Sequence, residues 1–152
     1  MLYYGIFFNG QRLEARHPEL LVPDSPTQRV GDQPVEGLVP VRHQVPMLSI
    51  DNTYSLEELR AYGDRTAKLL KGEPIEWVVE LKIDGVAISL LYENGLLVRG
   101  VTRGNGQVGD DVTHNIRTIK DVPLRLTGKD LPPVMEVRGE VYMTNSDLVR
   151  LN

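Results

Sequence analysis

The stretch Trp77–Gly85, Trp-Val-Val-Glu-Leu-Lys-Ile-Asp-Gly, constrains the fold of this chain more than any other. Val, Ile and Trp favour a pleated, half-buried surface, and Gly85 ends the run, so it reads as a β-strand. Side chains alternate between the faces of a strand. Trp77, Val79, Leu81 and Ile83 thus form an apolar face, while Val78, Glu80, Lys82 and Asp84 share the other. Charges are seldom buried without partners. One reading is an edge strand whose solvated face carries cross-strand ion pairs. The other is a lysine nucleophile held on a rigid strand between carboxylates. Val134–Met143 repeats the pattern, with Met135, Val137, Gly139, Val141 and Met143 on one side and Glu136, Arg138, Glu140 and Tyr142 on the other. Two such strands point to a shared polar cleft, in which a carboxylate can accept from a sugar hydroxyl while an arginine holds a phosphate.

The 152 residues suit one domain with a real hydrophobic core. A hydrophobic fraction of 41% and a charged fraction of 25% are those of an ordinary soluble protein. The net charge of −4 carries no polybasic signature for nucleic acid. The sequence has no cysteine, which excludes disulfides, thiolate catalysis and cysteine-based zinc sites and is compatible with a reducing cytosol. His17, His43 and His114 lack metal-ligand spacing, so no metal-ligating residues are expected. Met1–Phe8 is apolar but too short to span a membrane, and it lacks the basic start of a signal peptide.

Leu13-Glu14-Ala15-Arg16 reads as the last turn of a helix stopped at Pro18. Pro18, Pro23, Pro26, Pro34, Pro40 and Pro46 then forbid long helices and predict an extended connector. Met47–Asn52 is a short apolar run ending in turn formers. Ser55 and Glu58 form a capping box, predicting a helix to about Leu70 that buries Leu56, Leu59, Leu69 and Leu70 and ends at Lys71-Gly72. Val86–Tyr92 and Leu96–Arg103 read as strands of a hairpin turned at Asn94-Gly95. Thr102–Gly106 and Gly109 supply glycine-rich backbone that can approach a phosphate or serve only as a turn. Asp110-Asp111 can cap a short helix through Thr118, Val122–Leu126 reads as a strand, and Thr144–Asp147 starts another helix.

Glu80-Leu81-Lys82-Ile83-Asp84-Gly85 contains the Lys-x-Asp-Gly signature of the covalent nucleotidyltransferases, which are DNA ligases, RNA ligases and capping enzymes. Four residues alone are a weak signal, but they have company. His17–Leu20, Asp24–Gly31, Val45–Asn52, Thr102–Gly106 and Glu136–Val141 together make the chain resemble the NAD-dependent DNA ligases of bacteria, in order, from about Leu13 to Asn152. The resemblance implies an α+β fold: an incomplete, ATP-grasp-like nucleotidyltransferase (adenylation) domain of twisted antiparallel sheets with flanking helices. It implies a division into residues 1–17, a remnant of the helical nicotinamide-recognition domain, and residues 18–152, a truncated adenylation domain.

The resemblance also implies a reaction. Lys82 would attack the α-phosphorus of NAD⁺, expel nicotinamide mononucleotide and become lysyl-AMP. The AMP would pass to the 5′-phosphate of nicked double-stranded DNA, and the 3′-hydroxyl would displace it. A deprotonated lysine amine is a competent nucleophile. Neighbouring carboxylates oppose that deprotonation, and cations such as Mg²⁺ favour it. Matched position by position, Lys82 is the nucleophile and Asp84 its orienting neighbour. Glu80 lies at the adenine or ribose side, Ser49 and Ile50 line the dinucleotide pocket beside Leu48, Arg103 contacts the nucleotide, and Glu140 contacts the ribose hydroxyls. Without the resemblance, Ser49 and Ile50 would be a strand end packed in the core, and Arg103 a surface charge. Tyr3 falls where the family has a nicotinamide-binding tyrosine, but Tyr4 replaces the usual aspartate. The cofactors implied are NAD and Mg²⁺, the setting is the bacterial cytoplasm, DNA contact by this piece is weak, and a monomer is expected. Two alternatives stay open: a catalytically inert fragment that at most binds AMP or NAD weakly, and a relative using ATP or GTP.

Overall fold

Asn94 and Gly95 both take positive φ, 50° and 79°, as a two-residue hairpin turn requires. They join two strands of the main sheet of the larger unit in this computed structural model, which describes residues 10–29 and 37–151. The chain divides into two compact units, Leu48–Ile83 and the remainder.

In the larger unit, β1 (Pro40–Arg42) pairs antiparallel with β4 (Val108–Asp110). A three-stranded sheet places β2 (Val86–Glu93) between β3 (Leu96–Thr102) and β5 (Val134–Val141), all antiparallel. Leu90 stands opposite Gly100 on one side and Val137 on the other. The even-numbered residues of β2 therefore define one face. Ile88, Leu90 and Tyr92 bury there with Leu97, Ile116 and Leu124. Tyr92 is 2% exposed, and its hydroxyl donates to the Pro123 carbonyl at 2.9 Å. The short helix α3 (Thr113–Thr118) delivers Ile116 to this core; its N-cap position is Val112 rather than Asp110 or Asp111, and the Asp111 carboxylate, one residue earlier, accepts from the Thr113 amide at 2.9 Å. The last helix, α4 (Asn145–Leu151), starts where the Thr144 hydroxyl accepts from the Asp147 amide.

The proline-rich stretch contains more than an extended connector. Pro18–Leu20 and Pro26–Arg29 form single 3₁₀ turns, and Pro40 opens β1. Before them, residues 10–16 are helical (α1), ending as expected with the His17 amide on the Leu13 carbonyl at 2.8 Å. Glu14 ties this helix down by accepting from the hydroxyls of Ser25 and Thr27. Asp24 then pairs with Arg125. Residues 1–9 and 30–36, including Tyr3, lie outside the described residues.

Val122–Leu126 is not a strand. It makes one bridge, Leu96 with Arg125, because Pro123 has no N–H to extend a ladder. It still contributes Leu124 to the core.

In the smaller unit, helix α2 (Leu56–Leu69) begins at Ser55, whose hydroxyl accepts from the Glu58 amide at 3.1 Å. Glu58 returns its carboxylate to the Tyr54 amide, one residue before the cap, and Lys71 and Gly72 end the helix with positive φ. Ser55→Ala is expected to cost roughly 1 kcal/mol of helix stability, seen as a lower midpoint for the loss of helical circular dichroism. Leu56, Leu59, Leu69 and Leu70, expected to be buried, are exposed. Periodicity supplies an apolar stripe, but burial needs a surface to receive it. The clearest partner within this unit is Trp77, whose ring lies 5.9 Å from that of Tyr62 at 57°.

Trp77–Ile83 is likewise not a strand: it enters no ladder among the described residues. Alternation gives a strand its faces, but only a neighbouring backbone makes it one. The unit offers α2 as its only regular element among the described residues.

Candidate active site

One corner of the three-stranded sheet collects several of the expected site residues. It lies where β2 starts and where β3 and β5 end. Ala87 of β2 stands opposite Glu140 of β5, and the Arg103 amide, just past β3, donates to the Ala87 carbonyl at 2.9 Å. The Glu140 carboxylate accepts from the Gly85 amide at 2.9 Å. The Gly85 amide, the Arg103 backbone and the Glu140 carboxylate thus meet at this corner of the sheet, with Asp84 next in sequence to Gly85. Gly85 has to be glycine: a Cβ there would lie 2.2 Å from the Val141 carbonyl oxygen. The turn beyond Arg103 is closed by Asn105, whose side-chain oxygen accepts from the amides of Gln107 and Val108.

The smaller unit carries Leu48, Ser49, Ile50, Glu80 and Lys82. Leu48 and Ile50 are 85% and 78% exposed. Glu80 and Lys82 also face outward, on the irregular segment described above.

The polar face of the larger unit does a second job that sequence reasoning assigned differently. Arg138, a candidate phosphate holder, spends its guanidinium on the carbonyls of Pro46 at 3.0 Å and Val45 at 2.5 Å, and on Glu136 at 2.7 Å. Ser89 donates to the same Glu136 carboxylate at 2.7 Å. The His43 ring nitrogen lies 3.1 Å from the Thr102 carbonyl, and the amides of His43 and Met47 donate to Gln107 and Gly106. Together these groups bolt residues 41–47 across the sheet beside a half-open pocket of about 120 Å³ lined by His43, Ser89, Arg99 and Glu136. His43 showed no sequence signal because its partners are about sixty positions away. Alternation did place Glu136 and Arg138 side by side, but nothing local named Val45 and Pro46 as their acceptors.

Burial works to raise the Glu136 pKa, but hydrogen bonds from Arg138 and Ser89, with the charges of Arg138 and His43, outweigh it and hold it below the ordinary 4.5. A depressed carboxylate adds stability above its unfolded pKa and loses it as pH falls through its folded one. The urea midpoint is therefore expected to drop as pH falls below about 4.5, and Glu136→Gln to flatten that drop.

Among the described residues, no three His, Asp or Glu side chains converge to cage a metal ion. None of the described helices is long and apolar enough to cross a membrane.

Comparison with known proteins matches this sequence to a family. The profile of the NAD-dependent DNA ligase adenylation domain covers residues 36–152. That of the DNA ligase-like N-terminal NAD⁺-binding domain covers residues 3–31. A DNA ligase of Methylacidiphilum infernorum is 53% identical over 150 residues, 99% of this chain and 22% of that protein. One from Methylococcus capsulatus is 54% identical over 140 residues, 92% of this chain and 21% of that protein. One from Thermomicrobium roseum is 52% identical over 153 residues, 99% and 22%. The chain spans about a fifth of the length of these relatives.

Proposed function

The chain belongs to the NAD-dependent DNA ligase adenylation-domain family, and from that premise we propose that it carries out the first step of nick sealing. NAD⁺ is the adenylate donor. The Lys82 amine attacks its α-phosphorus, the bond to nicotinamide mononucleotide breaks, and the lysine becomes a lysyl-AMP phosphoramidate. The AMP then goes to the 5′-phosphate of nicked double-stranded DNA, which this chain alone holds weakly, since its net charge of −4 supplies no basic groove.

The observation that carries the reading is the sheet corner, where the Glu140 carboxylate holds the Gly85 amide at 2.9 Å beside Arg103. It ties the end of the Lys-x-Asp-Gly motif to a second motif more than fifty positions away. In this reading Asp84 orients Lys82, Glu140 serves the ribose hydroxyls and Arg103 the nucleotide. Glu80 stands at the adenine or ribose side, Leu48, Ser49 and Ile50 line the dinucleotide pocket, and Tyr3 serves the nicotinamide half. Magnesium would be held through substrate phosphates, waters and one or two carboxylates rather than an all-protein cage. When bound it would offset phosphate charge.

The mixed sheet and helix content of the antiparallel domain supports an ATP-grasp-like nucleotidyltransferase fold. Residues 1–17 then belong to a nicotinamide-recognition element and residues 18–152 to the adenylation domain. The chain works as a monomer at assay concentrations, in the bacterial cytoplasm.

The test is the intact mass of the purified chain after incubation with NAD⁺ and Mg²⁺. A gain of one AMP is expected, and none in Lys82→Ala. A folded sample that gains nothing overturns catalysis by this chain, leaving an inert nucleotide-binding piece. A gain from ATP but not NAD⁺ overturns the choice of donor.

A further inference from the structure

Residues 10–29 belong to the larger unit without the apolar burial that usually keeps a segment in place. Among residues 10–28, Ser25 is the one buried position, and Leu13, Leu20, Leu21 and Val22 are each about half exposed. Where the Pro26–Arg29 turn nears α3, Thr27, Gln28, Thr113, His114 and Arg117 border a half-open pocket of about 340 Å³ rather than a packed seam. Hydrophobic area therefore contributes little to the attachment. Directed polar contacts carry it instead. Glu14 accepts from the hydroxyls of Ser25 and Thr27, which ties α1 to the turn. Beside Ser25, the Asp24 carboxylate accepts twice from the Arg125 guanidinium, from Nε at 2.5 Å and from Nη2 at 3.4 Å. Arg125 stands on a fixed backbone, since the Leu97 amide donates to the Leu124 carbonyl at 2.9 Å and the Leu126 amide to the Gly95 carbonyl at 2.7 Å. The pair spans 101 positions. Asp24 lies in the match to the NAD⁺-binding domain, residues 3–31, and Arg125 in the match to the adenylation domain, residues 36–152.

We propose that Asp24 and Arg125 are a positioning pair, an ionic latch that holds residues 10–29 on the adenylation unit and thereby lowers the KM for NAD⁺. The effect on KM rests on the reading that NAD⁺ is the adenylate donor. The pair acts through the segment it holds rather than on the reacting atoms. A latch made of charge rather than apolar area is weakened by salt.

The test has two arms on the full chain, with Asp24→Asn, Arg125→Gln and the reversed pair Asp24→Arg/Arg125→Asp. Hydrogen exchange reads the latch itself and does not involve Lys82. Each single variant should exchange the amides of residues 10–29 roughly three- to fivefold faster, the range of an exposed ion pair, with β2 and β5 unchanged. The reversed pair restores opposite charges and should recover slow exchange. The adenylation assay reads the consequence. The KM for NAD⁺ should rise by a similar factor while kcat and the affinity for AMP alone stay as in the wild type, a split that a general loss of structure would not give. In roughly 0.5 M NaCl, wild type and single variants should converge. Unchanged exchange in the single variants, or a reversed pair no better than they are, overturns the latch. Faster exchange with an unchanged KM overturns its role toward NAD⁺. A wild-type chain that gains no AMP overturns the Lys82 reading and the KM effect with it, while the exchange arm still decides the latch.

Discussion

Gly85→Ala is expected to destabilise the larger unit by roughly 2–3 kcal/mol and to abolish lysyl-AMP formation. The methyl group would lie 2.2 Å from the Val141 carbonyl oxygen and 2.9 Å from its carbon. Backbone cannot swing aside as a side chain can, so β2 and β5 must part where Val86 faces Val141. Parting them also removes the Gly85 amide from Glu140. The measurement is a urea titration together with the mass assay. Glu140→Gln separates the two effects. Its amide oxygen still accepts from Gly85, so stability should change by less than about 1 kcal/mol. A role of Glu140 toward the ribose would then appear as slower adenylation of a protein that remains folded.

Tyr92→Ala should cost about 4 kcal/mol, the range for removing a buried aromatic side chain, and so consume much of the stability of a domain of this size. Tyr92 reaches the centre of the core cluster while its hydroxyl satisfies the Pro123 carbonyl. Tyr92→Phe keeps the ring and loses the hydrogen bond, so about 1 kcal/mol is expected. Guanidinium or urea midpoints of the two variants, read together, divide packing from hydrogen bonding. A Tyr92→Ala protein with an unchanged midpoint would mean that the core does not depend on this ring.

Much of the fold was legible where local chemistry decides it. Asn94-Gly95 set the hairpin and, through it, the pairing of β2 with β3. Ser55 and Glu58 set the start of α2, and Lys71-Gly72 its end. Alternation in Val134–Met143 correctly assigned the faces of the strand, with Glu136, Arg138 and Glu140 together, although the strand ends at Val141, two residues short of that stretch. In each case the cause lies within a few residues of its effect: a turn conformation, a cap, or the period of a strand.

The same rules failed where a residue's state depends on a distant partner. Trp77–Ile83 has the strand pattern, and Leu56 to Leu70 the helical stripe, but burial and pairing are properties of two surfaces. Val122–Leu126 was halted by the missing N–H of Pro123, yet its neighbour Leu124 still entered the core. At the candidate site, the Lys-x-Asp-Gly motif and its family were readable from the sequence alone. The meeting of Gly85 with Glu140, and the use of Arg138 to clamp Val45 and Pro46, needed the tertiary structure. Sequence determines which groups a chain carries and their local geometry. Only packing decides which distant carbonyl or carboxylate will satisfy them, because a buried or sheet-bound polar group takes the partner that the fold brings within reach.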